Sequence, residues 1–334
     1  MKITFIPKPN FILVCFLVLS SSAVAQRYDL TPNISIGGTI YPARNVNDQT
    51  ETYGRQFAYA RITVPIVKTF NVADNGLKFF LLSAGLHASA ENAKFSFLGF
   101  NRTFYTGSFS LNAIRKARGK SSWLTKGTLS YFEDDSSVYL HPSFRVTGFL
   151  LYRHAVTESF FYMLGGAYNF VYGAGIPLPV LGVGWKFANH ATLTAILPFN
   201  VAYRFGKRGN QYTLFIKPNG GVSNFYNNAF SYNKGSTIVL RRREILLGIK
   251  KRIRLSDQWS IGVEGGFAAG RKISFSSSFT QRKDENFPSY TVKGGPYLSL
   301  GLRFKFKERK SFGDTSSGGT TDDQLDLDTL LPNY

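Results

Sequence analysis

"GPYLSLGLRFKF", Gly295 to Phe306, alternates almost without a break. In extended backbone, successive side chains point to opposite faces. Leu298, Leu300, Leu302, Phe304 and Phe306 therefore share one face. Tyr297, Ser299, Gly301, Arg303 and Lys305 share the other. A strand this apolar on one side and cationic on the other separates two different environments, and the rest of the chain decides which two.

The same period recurs through the body of the sequence. "YTGSFSLNAI" aligns Tyr105, Gly107, Phe109, Leu111 and Ala113, and "AYARITVPI" aligns Ala58, Ala60, Ile62, Val64 and Ile66. "FRVTGFLLY" aligns Phe144, Val146, Gly148, Leu150 and Tyr152. "REILLGIK" aligns Ile245, Leu247 and Ile249, and "WSIGVEGGF" aligns Trp259, Ile261, Val263, Gly265 and Phe267. No segment carries a helical stripe of useful length.

Connections of two kinds alternate between these strands. Short polar turns fall near 71–76, 116–121, 155–159, 188–191, 206–211 and 254–258. Longer polar stretches fall near 43–55, 91–103, 224–236 and 274–290, with shorter ones near 133–137 and 172–178 and a tight break at 197–200. Transmembrane barrels pair short periplasmic turns with longer outer loops in this way. Lipid cannot hydrogen-bond a backbone, so a spanning sheet must close on itself. The expectation is an all-β, closed antiparallel transmembrane β-barrel of about 14 strands, with 12–16 open because Pro198 makes 191–206 either two short strands or one bent strand.

The ends support that reading. Lys2 and Lys8 precede the apolar run "FILVCFLVL" (11–19), which is too short to span a bilayer and is followed by Ala23-Val24-Ala25. Residues 1–25 read as a signal peptide, 26–306 as the barrel and 307–334 as a flexible acidic periplasmic tail. The single cysteine, Cys15, lies in the signal, so the mature chain carries no disulfide framework and no thiolate chemistry. Aromatic side chains near strand ends, among them Tyr152, Tyr168, Phe170, Tyr203, Phe205, Phe304 and Phe306, fit interfacial girdles. The formal net charge of +20 points, for an exported chain, to an anionic membrane surface or anionic solute rather than nucleic acid.

"PVLGVGWKFANHATLTAILPFNVAYRF" (179–205), "LSDQWSIGVEGGF" (255–267) and the closing "GPYLSLGLRF" resemble the Bacteroidota outer-membrane β-barrel proteins grouped as a domain of unknown function. That resemblance implies a place in the outer membrane and a barrel fold, and no substrate.

Chemistry is sparse. His87, His141, His154 and His190 sit in no recognisable nucleophile or metal motif, and Asp134, Asp135, Asp284 and Glu285 read as loop charges. The expectation is a non-enzyme without a cofactor. Asp328-Thr329-Leu330 resembles a short O-glycosylation signal, a three-residue pattern that recurs by chance. The informative set is basic. Arg61, Arg145, Lys293, Arg303 and Lys305 fall opposite apolar faces and read as luminal, where charge tunes ion selectivity, with Arg204 and Lys217 as weaker members. Luminal acids such as Glu264 are their available partners. Arg241, Arg242, Arg243, Lys250, Lys251 and Arg252 bracket Ile245–Ile249 and read as rim residues meeting lipid phosphates. The expected partners are outer-membrane lipid, an anionic small solute, and the barrel-assembly machinery through the last strand. The function expected is a pore or transporter for small or anionic solutes. The alternatives are a non-conducting structural or adhesion barrel and, third, a membrane-embedded hydrolase.

Overall fold

The computed structural model describes residues 32–306 apart from 48–49, 74–75, 99, 117–119, 135–142, 170–175, 189, 207–209, 228–229, 231–234, 236 and 278–285. The expected signal peptide and acidic tail lie outside the described residues. So do Asp135, His141, Phe170, Asp284, Glu285 and Asp328-Thr329-Leu330.

The strands are β1 (Asn33–Asn45), β2 (Thr52–Ala73), β3 (Gly76–Phe95), β4 (Phe100–Lys116), β5 (Ser121–Asp134), β6 (Ser143–Ala155), β7 (Phe160–Asn169) and β8 (Ile176–Ala188). They continue with β9 (Ala191–Leu197), β10 (Asn200–Phe205), β11 (Asn210–Tyr226), β12 (Thr237–Arg254), β13 (Trp259–Ser276), β14 (Ser289–Val292) and β15 (Gly295–Lys305). Each pairs antiparallel with its neighbour in sequence from β1 to β13. β14 and β15 both pair with β13, one beyond the other, so they form one interrupted stave. β15 also pairs with β1, from Asn33↔Lys305 to Ile40↔Leu298. That closes an antiparallel barrel of 14 strands with no open edge around its girth.

Residues 191–206 resolve into two short strands around Pro198. The first and last strands of the barrel meet on the side of the short turns, where the Phe306 N–H donates to Pro32 O at 3.0 Å.

The faces follow from the register. Ile36, Ile40, Phe109, Leu111, Val146, Leu150, Ile245, Leu247, Ile249, Phe267, Leu298 and Leu300 all point out and are exposed. A closed barrel with such a band faces hydrocarbon. Near the turn-side ends of the strands an aromatic girdle borders the band. Its rings touch in groups: Trp123 with Tyr152, Trp185 with Phe187, Tyr203 with Phe205 and Phe205 with Tyr212, and Trp259 with Phe304 and Phe304 with Phe306.

The strands run further than their polar sequence suggests. β2 has 22 residues and β3 has 20, where about 9–11 cross a membrane. The stretch 91–103, expected as a loop, is largely the ends of β3 and β4. In this extension the alternation inverts. Gln56, Lys94, Asn101 and Arg243 point outward, while Tyr53, Phe95, Ile238, Leu240, Ile273 and Phe275 point inward and are buried together with Val46, Ala93, Phe104, Phe287 and Val292. A strand leaving lipid for water must swap its apolar face from outside to inside. Lys94 and Asn101, in a stretch read as a loop, thus lie on the water-facing sides of strands around a small, soluble-type core.

Candidate functional site

β9 and β10 have only 7 and 6 residues, so the barrel wall is low there. β11 pairs with β10 only from Tyr212 to Ile216, while it pairs with β12 as far as Tyr226. Above Ile216, β11 would present a bare edge. Two side chains from across the barrel bind it instead. Asp134 of β5 accepts from the Tyr226 N–H at 3.2 Å. Arg145 of β6 donates to Val222 O and, at 3.3 Å, to Asn224 Oδ1, with its guanidinium over the Phe132 ring. The upper part of β11 is therefore held against β5 and β6.

Beneath the apolar cluster lies a buried ionic network. Glu244 takes Arg55, takes Arg271 Nε at 3.3 Å, and accepts from Asn219 Nδ2 at 2.6 Å. Glu91 takes Arg242, and Arg55 also approaches it at 3.8 Å. Arg55 lies over the Tyr41 ring, and Arg271 over the Tyr53 ring. These groups come from β1, β2, β3, β11, β12 and β13, so the network ties opposite walls together. Buried charges persist when they are paired, and here three guanidiniums share two carboxylates. Tyr41 also stacks on Tyr297 at 5.5 Å, and Tyr297 donates to Glu264 at 3.2 Å. Gly248 makes room for this: a Cβ there would lie 2.7 Å from the Tyr297 hydroxyl.

On the turn side of the network the inner rows change character. Arg61 (β2), Lys126 (β5), Lys250 and Arg252 (β12), and Arg303 and Lys305 (β15) point inward and stay half-buried. Arg61 sits beside His87 in the ladder, and Ser35 separates Arg61 from Arg303. Among the described residues, Glu264 is the carboxylate on these rows; Lys217 Nζ engages it at 3.1 Å and Lys250 lies opposite it in the ladder. The inward rows on this side are basic and lie under a packed plug.

This arrangement sorts the sequence expectations. Arg61, Arg303 and Lys305 point inward and are half-buried. Arg145 is inward but buried at 6% exposure and spent on the β11 edge, so it is a strut rather than a charge lining a passage. Lys293 lies in the break between β14 and β15, exposed, with its N–H on Asn45 O. Of the expected rim set, Arg243 points outward and is exposed, and Lys251 lies over the outer Tyr212 ring. Arg242, Lys250 and Arg252 point inward instead, and Arg241 is buried against Ser276. Strand parity explains the difference: in "RRRE" neighbouring arginines cannot share a face. Sequence alternation alone does not single out Arg55, Glu91, Glu244 and Arg271. The parity of β12 puts Arg242 and Glu244 in line with Leu240 and Leu246, which is the signal that reveals them. Arg55 and Glu91 fell in segments read as loops.

His154 is the other surprise. On the outer face, its Nδ1 lies 2.9 Å from Ser121 Oγ, which lies 2.8 Å from the Tyr152 hydroxyl. A serine and a histidine are thus adjacent, but the surrounding backbone donors belong to the β5–β6 ladder.

Comparison with known proteins adds the family. Residues 23–305 match the family described as Domain of unknown function (DUF6268). The chain belongs to that family. No curated protein matches it. Among solved structures it is similar to the β domain of the Bordetella autotransporter BrkA, at 9% identity and a TM-score of 0.37, covering 83% of this chain and 100% of that one. The translocator domain of the autotransporter NalP from Neisseria meningitidis gives 8%, 0.30, 89% and 96% in the same terms. A porin of Rh. blastica gives 10%, 0.25, 82% and 99%.

Proposed function

We propose that the protein is a gated barrel of the bacterial outer membrane that passes or binds small anionic solutes. Its short turns and both barrel ends face the periplasm, as in single-chain outer-membrane barrels. The Bacteroidota origin suggested by 179–205, cleavage after residue 25 and engagement of the last strand by the assembly machinery belong to the same reading. The observation that carries it is the set of inward cations, Arg61, Lys126, Lys250, Arg252, Arg303 and Lys305, on the turn side of the plug. Low-dielectric walls focus the field of such a set and concentrate anions in it. Passage requires the plug to open, because its inner residues are closed to solvent in this conformation.

The packed plug also favours a second reading, a non-conducting barrel that works through its loop-side surface. Planar-bilayer recording of purified protein separates the two. The gated-passage reading expects rare openings with an anion-biased reversal potential, and Arg303→Glu with Lys305→Glu reduces that bias. A protein that stays silent, and that remains silent when the plug residue Phe95 is cut to Ala, leaves the non-conducting barrel. Lipid and peptide hydrolysis assays address a hydrolase.

A further inference from the structure

The outer surface carries a groove of about 580 Å³ lined by Trp123, Leu150, Tyr152, Leu164, Gly165 and Gly166. It is a shallow depression, open along its length to the surroundings of the barrel. Its origin is a local absence of side chains. Gly166 pairs in the ladder with Leu150 and Pro179, and Gly148 pairs with Gly127, all on the outward face. Below this gap the Trp123 and Tyr152 rings, 5.1 Å apart, form a shelf at the level of the aromatic girdle. Tyr152 belongs to two environments. Its ring lines the groove, and its hydroxyl joins Ser121 and His154. Lys120, on the adjoining turn, donates from Nζ to Val156 O at 2.9 Å and is exposed.

We propose that this groove holds one acyl chain of a phospholipid of the turn-side leaflet, with the phosphate end at Lys120, Ser121 and His154. The groove opens within the hydrocarbon-facing band, so a hydrocarbon chain is what fills it. The polar cluster lies at the turn-side end of β5 and β6, where the head group of a lipid in that leaflet sits. A lysine and a histidine there suit a phosphate. The Tyr152 hydroxyl, between an apolar ring and a polar cluster, marks the boundary between chain and head group. The Ser121–His154 pair is accounted for as a head-group contact. Hydrolysis would need free donors for an oxyanion, and the neighbouring N–H groups are held in the ladder.

The test uses the full chain purified from membranes in mild detergent. Native mass spectrometry is expected to show one retained phospholipid per barrel. A Cβ at Gly166 finds Leu178 O at 3.8 Å as its nearest atom, so Gly166→Leu fits the wall and fills the groove. That variant is expected to keep its heat-modifiable mobility and lose the lipid. A second measurement uses brominated phospholipid in vesicles with Trp185→Phe and Trp259→Phe, leaving Trp123 as the reporter. Quenching of Trp123 should fall on adding Gly166→Leu. A barrel that purifies without lipid and whose Trp123 quenching is unchanged by Gly166→Leu overturns the proposal. Retention of the lipid by folded Gly166→Leu protein overturns it equally.

Discussion

Arg55 and Glu244 lie 189 positions apart in the chain and meet inside the barrel, on β2 and β12. Each belongs to a wall that the lipid band alone would not bring into contact. The pair, with Glu91, Arg242 and Arg271, makes the barrel a closed body at the depth where its alternation inverts.

Glu244→Ala leaves Arg55 and Arg271 buried around an empty place. Breaking a buried pair from one side costs about 3–5 kcal/mol, because the remaining charge stays desolvated. The thermal midpoint of the detergent-solubilised barrel, followed by circular dichroism, should drop clearly. Replacing Arg55, Glu244 and Arg271 together by leucine or methionine should recover much of the loss. A midpoint unchanged by Glu244→Ala would mean that the network does not hold the walls together.

Phe95 and Phe275 are each 2% exposed in the loop-side core. Truncation of a buried phenylalanine costs about 3–5 kcal/mol. The effect should be regional. Amide exchange should speed up at the loop-side ends of β3, β12 and β13 in Phe95→Ala, while the lipid-facing halves keep their protection. Uniform loss of protection would show that the extension and the membrane part fold as one unit.

The sequence made the lipid-facing half legible and the loop-side half misleading, for one physical reason. Period two reports a face only while the solvent on each side stays the same. In β15 one solvent pair holds throughout, so Leu298, Leu300 and Leu302 were readable at once. In β12 the pair changes near Arg243, and "RRRE" mixes a buried inner couple, Arg242 and Glu244, with an exposed outer residue. Arg145 shows a second limit. Its inward direction is set locally, but its role depends on the free edge of β11, which arises from the shortness of β9 and β10.

Asp134 and Arg145 hold that edge at Tyr226, Val222 and Asn224. Arg145→Ala leaves Val222 O without its guanidinium, and Asp134→Ala leaves the Tyr226 N–H without its carboxylate. A buried backbone group deprived of its partner costs about 1–3 kcal/mol. Exchange at the Tyr226 amide should rise in Asp134→Ala, and the double variant should loosen 217–226 while β12 pairing persists. Unchanged exchange at Tyr226 in Asp134→Ala would mean that another group holds the edge.

The face assignment of β15 has a direct test in three single variants. Leu300 points to lipid and Ser299, its neighbour, points inward beside Glu264 in the ladder. A cation at mid-depth on the lipid side costs about 2–4 kcal/mol. Leu300→Arg should therefore reduce the folded, heat-modifiable fraction in the outer membrane, and Leu247→Arg on β12 should do the same. Ser299→Arg places the same cation one residue away, on the inner side that already carries Arg303 and Lys305, and should insert normally. The contrast matters more than either result alone, since all three substitutions add the same side chain. If Leu300→Arg and Ser299→Arg assembled equally well, Leu300 would not face hydrocarbon and the order of solvents read from "YLSLGLRFKF" would be reversed.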